Sequence, residues 1–213
     1  MIFDLGGVVL ASPLEAFREY ERANGLPHRF ISEIVLSGGD DGAWSRFERG
    51  ELSPDDFAVT FEAECAAAGH PLTVADLFGS FGAGRGESAP RPEMVAAIRA
   101  MRSHGLRTGA LTNNWADADG TTYISGATPL AAHLADLFDT IVESALVGLR
   151  KPDPRIYELT CARLEVEPSE CVFLDDLGAN LKPARAMGMA TIKVADPRVA
   201  IAELGELLGL DLS

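Results

Sequence analysis

The spacing of hydrophobic residues predicts alternating strands and helices over the second half of the chain. Short apolar runs bounded by Gly or polar residues alternate with segments in which apolar residues recur every three or four positions. We predict helices at 92–103, 129–136, 154–164, 178–187 and 197–208, with strands at 107–112, 138–143, 171–175 and 190–194. Alternation at this spacing is typical of right-handed crossovers, which build a parallel sheet with helices on both faces.

The first ten residues are predicted to form a further buried strand that stops at a flexible turn. Ile2 and Phe3 are apolar, Asp4 is the first charged residue, and Gly6 and Gly7 follow. We therefore expect Asp4 at the carboxyl end of a strand, where parallel sheets bind ligands. An Asp close to Gly more often caps a turn, and this stretch alone favours that structural role.

The segment that follows the first strand has only helical periodicity and contains no strand pattern. A stretch rich in Gly and Pro, residues 82–92, is predicted to return the chain to the sheet. The predicted fold is therefore α/β, with a Rossmann-like core formed by residues 1–12 and 90–213. A small all-helical cap, residues 13–89, is inserted into this core after the first strand.

The chain is acidic, with a formal net charge of -14 over 213 residues. Binding to nucleic acid requires a basic face, so this charge argues against such a partner but permits a small phosphorylated substrate held by one Lys. Three widely spaced cysteines, Cys65, Cys161 and Cys171, suggest neither a disulfide framework nor a zinc site.

We expect a cytoplasmic protein without a membrane partner, either monomeric or homodimeric. No apolar run is long enough to span a bilayer, and no secretory signal is recognisable. Met1 directly abuts the first predicted strand, which leaves open whether native residues precede it.

Polar side chains follow successive predicted strands at one edge of the sheet. In chain order they are Asp4, Thr112, Asn113, Lys151, Asp175 and Asp176. Adjacent carboxylates repel one another, so three of them predict a hard divalent cation, and Mg²⁺ suits an oxygen-rich site. Thr112, Asn113 and Lys151 offer donors for the oxygens of a phosphoryl group. Each residue alone has an ordinary structural explanation, but their convergence favours a functional site.

Four segments resemble the motifs of the haloacid dehalogenase superfamily, in the same order and at suitable distances. They are residues 3–8 (FDLGGV), 111–113 (LTN), 151–154 (KPDP) and 173–176 (FLDD). The resemblance covers essentially the whole chain. It is strongest to the branch that includes the phosphatase domain of soluble epoxide hydrolases and a related domain of acyl-CoA dehydrogenase family member ten.

This resemblance implies a role for each polar residue at the strand ends. Asp4 would be the nucleophile, which attacks phosphorus to form an aspartyl-phosphate that water later hydrolyses. Thr112 and Asn113 would bind the transferring group. Lys151 would neutralise Asp4 and the phosphoryl oxygens.

The resemblance also implies a Mg²⁺ site. Asp4, the main-chain carbonyl of Gly6 and Asp176 would ligate the ion, and Asp175 would act through a bound water or by orienting it. Asn180, one helical turn past Asp176, would brace the metal ligands without binding the ion itself.

Gly6 is the main departure from the superfamily pattern. Phosphatases of the superfamily usually carry a second Asp at this position, which protonates the leaving oxygen and then activates water. Without that second Asp, the site lacks a general acid and base, a group that typically raises the reaction rate by ~10²- to 10⁴-fold. We therefore expect intact Mg²⁺ binding with weak or restricted turnover, least impaired on acyl and aryl phosphates.

Two alternatives to a phosphatase stay open. The chain could be a catalytically impaired or regulatory member that binds a metal or a phosphorylated ligand. It could also cleave carbon–halogen bonds with Asp4, because dehalogenases of the superfamily lack the second Asp as well. Those enzymes need no metal, so the Asp175-Asp176 pair argues against this second alternative.

Trp115 lies two residues after Asn113 and has two possible roles. It either stacks on a substrate or covers the edge of the sheet, and the sequence favours neither. Substrate specificity is expected to reside in the helical insert, because the predicted core residues bind only the phosphoryl group.

Overall fold

One parallel sheet lies at the centre of the part of the chain that the computed structural model describes, residues 1–80, 89–126 and 128–212. Its strands are β1 (Ile2–Phe3), β2 (Gly109–Thr112), β3 (Thr140–Glu143), β4 (Val172–Asp175) and β5 (Ala190–Lys193). They lie side by side in the order β3-β2-β1-β4-β5. Phe3 of β1 is in register with Ala110 of β2 and Leu174 of β4. The residue that follows β1 therefore lies between the ends of two other strands.

The chain turns sharply after β1. The N–H groups of Val8, Val9 and Leu10 all donate to the carbonyl oxygen of Leu5, at 3.2, 3.0 and 2.8 Å. Gly7 adopts a φ of 81°, a left-handed conformation that favours glycine. The strand is thus only two residues long, and the apolar residues beyond it are buried in the turn.

A helical segment follows this turn. It comprises α1 (Pro13–Ala23), α2 (Phe30–Ser37), α3 (Ala43–Glu48), α4 (Pro54–Ala67) and α5 (Val74–Ser80). Its hydrophobic residues form a cluster of their own, in which Phe47 stacks on Phe57 with ring centroids 4.2 Å apart. Trp115 joins this cluster and stacks on Phe78 at 5.3 Å and on Phe47 at 5.6 Å.

The segment is helical as predicted, but its division from the core stays a prediction. The boundaries expected at residues 12 and 90 are not defined by the fold alone. The predicted linker, residues 82–92, falls mostly outside the described residues.

Six helices complete the described part of the fold. They are α6 (Pro92–Ser103), α7 (Pro129–Leu137), α8 (Ser144–Val147), α9 (Pro154–Leu164), α10 (Gly178–Ala186) and α11 (Pro197–Leu208), with a 3₁₀ turn at Pro168–Glu170. Three of these helices begin in the same way, with a proline in the first turn directly after a residue whose side chain caps the helix. They are α7, α9 and α11. Thr128, Asp153 and Asp196 provide these caps.

Both faces of the sheet are covered, as the alternation of strands and helices predicted. Phe3 packs in a cluster with residues of α6, α7 and α11, whereas Ile2 packs in a cluster with residues of α9 and α10. Neighbouring residues of a strand point to opposite faces, so this is the expected arrangement for β1. Within the described ranges, no helix has the length and apolar character needed to span a bilayer.

Candidate active site

Three carboxylates meet at the carboxyl edge of the sheet. Asp4 directly follows β1, while Asp175 ends the neighbouring β4 and Asp176 comes next. One oxygen atom from each of the three lies within 4.8 Å of the other two. Asp4 and Asp175 are buried, and Asp176 is partly exposed. The fold thus places together acidic residues from opposite ends of the sequence.

The ammonium group of Lys151 lies between two of these carboxylates. Its Nζ is 2.8 Å from Oδ1 of Asp4 and 2.7 Å from Oδ2 of Asp175, and its side chain is 1% exposed. Three carboxylates with one ammonium carry two negative charges in excess when all four are ionised. Unpaired charges are costly to bury, so the ionised cluster favours either two further positive charges, such as those of one divalent cation, or the uptake of protons.

The pKa values of the cluster reflect this imbalance. Burial raises the pKa of Asp4 well above its ordinary range; Lys151 opposes the shift, and Asp175 and Asp176 add to it. Burial and the charge of Asp175 raise the pKa of Asp176 to about 6. Burial alone would lower the pKa of Lys151, but the charges of Asp175 and Asp4 raise it overall, so the amine stays protonated.

Asp175 is held by protein donors on both of its oxygens. The side-chain amide of Asn180 donates to Oδ1 at 3.1 Å and to Oδ2 at 3.0 Å. The N–H of Leu177 also donates to Oδ1, at 2.8 Å, and Lys151 donates to Oδ2. The bracing contact predicted for Asn180 is therefore made to Asp175, which in turn positions Lys151.

The side chain of Asn113 binds the main chain of Lys151. Its Oδ1 accepts from the N–H of Lys151 at 2.8 Å, and its Nδ2 donates to the carbonyl of Lys151 at 3.0 Å. Either the main chain or the amide of Asn113 is expected to face a phosphoryl group, and here both polar atoms of the amide already have protein partners. Thr112 is buried, and its hydroxyl donates to the carbonyl of Asn113 over a long 3.4 Å.

The two glycines after Asp4 make close contacts near the site. A Cβ atom on Gly7 would overlap Oδ2 of Asp176, so this turn can pass beside the acidic pair only with glycine. A Cβ on Gly6 would lie 3.3 Å from Cδ of Pro13, which is tight but leaves room for a small adjustment.

A fourth carboxylate, Glu48 of α3, reaches the site from the helical segment. Its Oε2 accepts from Nε and Nη2 of Arg150 at 2.8 and 2.7 Å and from Nδ2 of Asn113 at 3.3 Å. Its Oε1 accepts from the indole N–H of Trp44 at 2.9 Å. This contact could not be predicted from the sequence, because no local pattern links residues 102 positions apart.

A sequence model of haloacid dehalogenase-like hydrolases matches residues 1–188. The chain belongs to this family. The predicted α/β fold and the predicted family are thus both confirmed.

Several curated relatives of this hydrolase align with nearly its full length. Mouse acyl-CoA dehydrogenase family member 10 is 39% identical over 212 residues, which cover 100% of this chain and 19% of the relative. Pig bifunctional epoxide hydrolase 2 is 35% identical over 217 residues, which cover 99% and 39%. The chain therefore spans well under half the length of these two relatives. The sesquiterpene phosphatase astK of Aspergillus oryzae is 29% identical over 210 residues, covering 98% and 95%.

Solved structures of other haloacid dehalogenase-like proteins share the fold. A predicted hydrolase of this kind from Porphyromonas gingivalis superposes with a TM-score of 0.66 at 23% identity, covering 99% of this chain and 97% of that one. An enzyme of the family from Bacteroides thetaiotaomicron, crystallised with magnesium and inorganic phosphate, gives 0.57 at 20% identity, covering 90% and 91%. At these identities the likeness shows the fold alone.

Most of the predicted site residues of this hydrolase lie at one edge of the sheet. The residues linked there by the contacts above are Asp4, Asn113, Lys151, Asp175, Asp176 and Asn180. Thr112 ends β2 beside them, and Gly6 lies in the turn that follows Asp4. Their catalytic, phosphate-binding and metal-binding roles stay predictions.

Proposed function

We propose that this chain is a Mg²⁺-dependent phosphatase that acts on a small phosphorylated molecule through an aspartyl-phosphate. The observation that supports it most is the position of Lys151, within 2.8 Å of Asp4 and 2.7 Å of Asp175. This ammonium holds a buried carboxylate in place at the edge of the sheet where ligands bind. The similarity to the sesquiterpene phosphatase and to the Mycobacterium tuberculosis phosphatase MT3486, 35% identical over 99 residues, also supports phosphoryl chemistry.

The donor set fits Mg²⁺. The two negative charges in excess match one divalent cation, and carboxylate and carbonyl oxygens are its preferred ligands. We infer that Asp4, Asp176 and the carbonyl of Gly6 would hold the ion. Asp175 would act indirectly, because its own oxygens already accept hydrogen bonds from protein donors. When bound, Mg²⁺ would neutralise the carboxylates and withdraw charge from the phosphoryl oxygens.

Asp4 would act as the nucleophile. Its Oδ1 accepts from Lys151 at 2.8 Å and from the N–H of Leu5 at 2.7 Å, and these two bonds fix the orientation of the carboxylate. Attack of Asp4 on phosphorus forms an acyl phosphate and breaks the bond to the leaving oxygen. Water then attacks the same phosphorus, releases inorganic phosphate and regenerates Asp4.

Thr112, Asn113 and Lys151 would bind the oxygens of the phosphoryl group. Because the amide of Asn113 is bonded to the main chain of Lys151, Asn113 would contribute its main-chain N–H. Lys151 would stabilise the negative charge that develops during transfer, and its fixed position makes that stabilisation effective.

Gly6 would limit turnover. It has no side chain to protonate the leaving oxygen, so substrates whose leaving group is already stable as an anion would react best. The helical segment would act as a cap that shields the reaction from water and selects substrates. Its contact through Glu48 with Arg150 supports this placement.

Release of inorganic phosphate from p-nitrophenyl phosphate and acetyl phosphate, with Mg²⁺ and with a chelator, tests the proposal. We expect slow, Mg²⁺-dependent release that Asp4→Asn abolishes. Release that survives this substitution would remove Asp4 from its proposed role. Chloride release from a 2-haloacid in the presence of chelator would instead indicate a dehalogenase.

Gly6 also favours a second candidate, a regulatory member that binds ligand without turnover. The same experiment separates the two functions if protein stability is measured beside it. Stabilisation by Mg²⁺ without phosphate release from a broad substrate panel would support the regulatory function.

A further inference from the structure

Two of the three cysteines form a pair on the face of the sheet covered by α9 and α10. Cys161 lies on α9, and Cys171 immediately precedes β4. Their sulfur atoms are 3.9 Å apart, in hydrogen-bonding contact, and both side chains are buried. The sulfur of Cys171 also donates to the carbonyl of Glu167 at 3.5 Å. The two thiols need to approach by only about 2 Å to reach the length of a disulfide bond.

We propose that Cys161 and Cys171 are a redox-sensitive dithiol that hydrogen peroxide converts to an intramolecular disulfide in the folded protein. The Cys171 thiolate attacks a peroxide oxygen, the O–O bond breaks, and a sulfenic acid and hydroxide form. The hydroxide takes up the proton that the Cys171 thiol had released, which gives one water. The sulfur of Cys161 then attacks that of Cys171, and the S–O bond breaks. The leaving hydroxide takes the Cys161 proton as a second water. The sulfurs lose two electrons, and these reduce the peroxide.

The two thiols differ in their pKa values, as this order of reaction steps requires. The hydrogen bond from Cys161 lowers the pKa of Cys171 to about 7, and the same bond raises the pKa of Cys161. The thiolate is the reactive form of cysteine, and Cys171 is the sulfur that contacts the exposed loop through Glu167. Cys171 therefore attacks first, and Cys161 is the resolving thiol. Cys65 is the natural control, because burial raises its pKa to about 12 and it lies on α4, away from this pair.

Peroxide reaches the pair through the loop that covers it. Residues 165–170 connect α9 to β4 and are mostly exposed, and Glu167 of this loop contacts Cys171 directly. A local opening of the loop therefore exposes the sulfur of Cys171, which reacts first, without unfolding the sheet. Cys171 precedes Asp175 by four residues, about 13 Å along an extended strand, so the pair is separate from the carboxylate cluster.

The test is a thiol count on the folded full chain after exposure to hydrogen peroxide. The reaction is stopped with catalase, the protein is denatured, and free thiols are alkylated before intact-mass and peptide analysis. We expect the number of alkylated cysteines to fall from three to one, with a peptide joining Cys161 to Cys171. Dithiothreitol should restore all three. The substitution Cys65→Ser should still allow the crosslink to form at the same rate.

A second variant keeps the test decisive if the crosslink is slow. In Cys161→Ser the resolving thiol is absent but a hydroxyl group can still donate to Cys171, so a sulfenic acid should accumulate at Cys171 and react with dimedone. We expect Cys171 to react with peroxide about tenfold faster than Cys65, or more. The proposal is wrong if Cys65 oxidises first. It is also wrong if wild-type Cys171 passes to sulfinic or sulfonic acid with no crosslink, or if all three thiols survive.

Discussion

Glu48 and Arg150 form an ion pair that joins the helical segment to the loop carrying Lys151. Nη2 of Arg150 lies 2.7 Å from Oε2 of Glu48, and both side chains are largely buried. The same Glu48 oxygen accepts from the side-chain amide of Asn113. That amide also bonds to both the N–H and the carbonyl of Lys151. A continuous set of polar contacts thus runs from α3 to the lysine that touches Asp4.

We predict that Glu48→Gln lowers both stability and phosphate release. The amide keeps the shape of the side chain, but it leaves Arg150 without a buried negative partner. We expect the free energy of unfolding to fall by about 1–3 kcal/mol in urea titrations. Glu51 supplies the control, because it lies 2.6 Å from Arg49 but its side chain is 44% exposed. Glu51→Gln should cost less than about 1 kcal/mol, and equal losses in both variants would contradict the prediction.

We predict that Gly7→Ala weakens Mg²⁺ binding by displacing Asp176. The added methyl group would occupy the space of the Asp176 carboxylate, at a φ of 81°. Gly105 provides a matched control, because its φ is 79° and an added Cβ meets nothing within 4 Å. Both alanine variants should lose about 1–2 kcal/mol of stability from backbone strain. Only Gly7→Ala should weaken Mg²⁺ binding, by about tenfold or more in isothermal titration calorimetry.

We predict that Mg²⁺ stabilises the protein and that Asp176→Asn removes most of this effect. A ligand that binds only the folded state, at a hundred times its dissociation constant, adds about 2.7 kcal/mol. Thermal unfolding with increasing Mg²⁺ measures this gain. In chelator, the Asn variant should be at least as stable as wild type, because it removes one of three crowded carboxylates. A full Mg²⁺ response in the variant would exclude Asp176 as a ligand.

We predict that the metal-free protein loses stability through Asp176 as the pH rises from about 4 to about 6. The folded-state pKa of this carboxyl is about 6, above the ordinary value near 4, because of burial and Asp175. In this range the folded chain keeps a proton that the unfolded chain releases, so low pH favours folding. The group is partly exposed, so we expect only about 1–2 kcal/mol. The measurement is the free energy of unfolding in urea for wild type and for Asp176→Asn at each pH. A difference between the two proteins that stays constant from about pH 4 to about pH 6 would contradict the prediction.

Local signals explain which parts of the fold could be predicted from the sequence. The helices at 92–103, 154–164 and 197–208 have the predicted ends, because each begins with a proline and the signals lie within a few residues. The strand predicted at 107–112 is shorter, since pairing with β1 and β3 begins only at Gly109. Strand length depends on the neighbouring strands, which local periodicity does not report.

The candidate site could also be predicted from the sequence only in part. The convergence of Asp4, Lys151 and the acidic pair could be predicted, because parallel strands bring their carboxyl ends to one edge. The use of the Asn113 amide and the contact of Glu48 with Arg150 could not, because both depend on how distant segments pack. Trp115 stacks within the aromatic cluster of the helical segment, a packing that neither of its two expected roles describes.

We predict that Gly6→Asp raises turnover on substrates with poor leaving groups. The new carboxyl would supply the acid and base that Gly6 cannot, once Pro13 yields slightly to the added Cβ 3.3 Å from its ring. We expect the kcat for an alkyl phosphate to rise by about 10²-fold or more. For acetyl phosphate, whose leaving group needs no proton, the gain should be much smaller.

Gly6→Asn is the matched control for this prediction, because it has nearly the same shape but cannot transfer a proton as a carboxyl group does. Phosphate release from the alkyl and acetyl substrates should be measured for both variants with saturating Mg²⁺. If Gly6→Asn gives the same gain as Gly6→Asp, the benefit comes from packing beside Pro13 and not from proton transfer. If neither variant gains, the missing acid and base is not what limits turnover. A gain confined to Gly6→Asp and to the alkyl substrate would assign the limit to protonation of the leaving oxygen, because only that step differs between the two substrates.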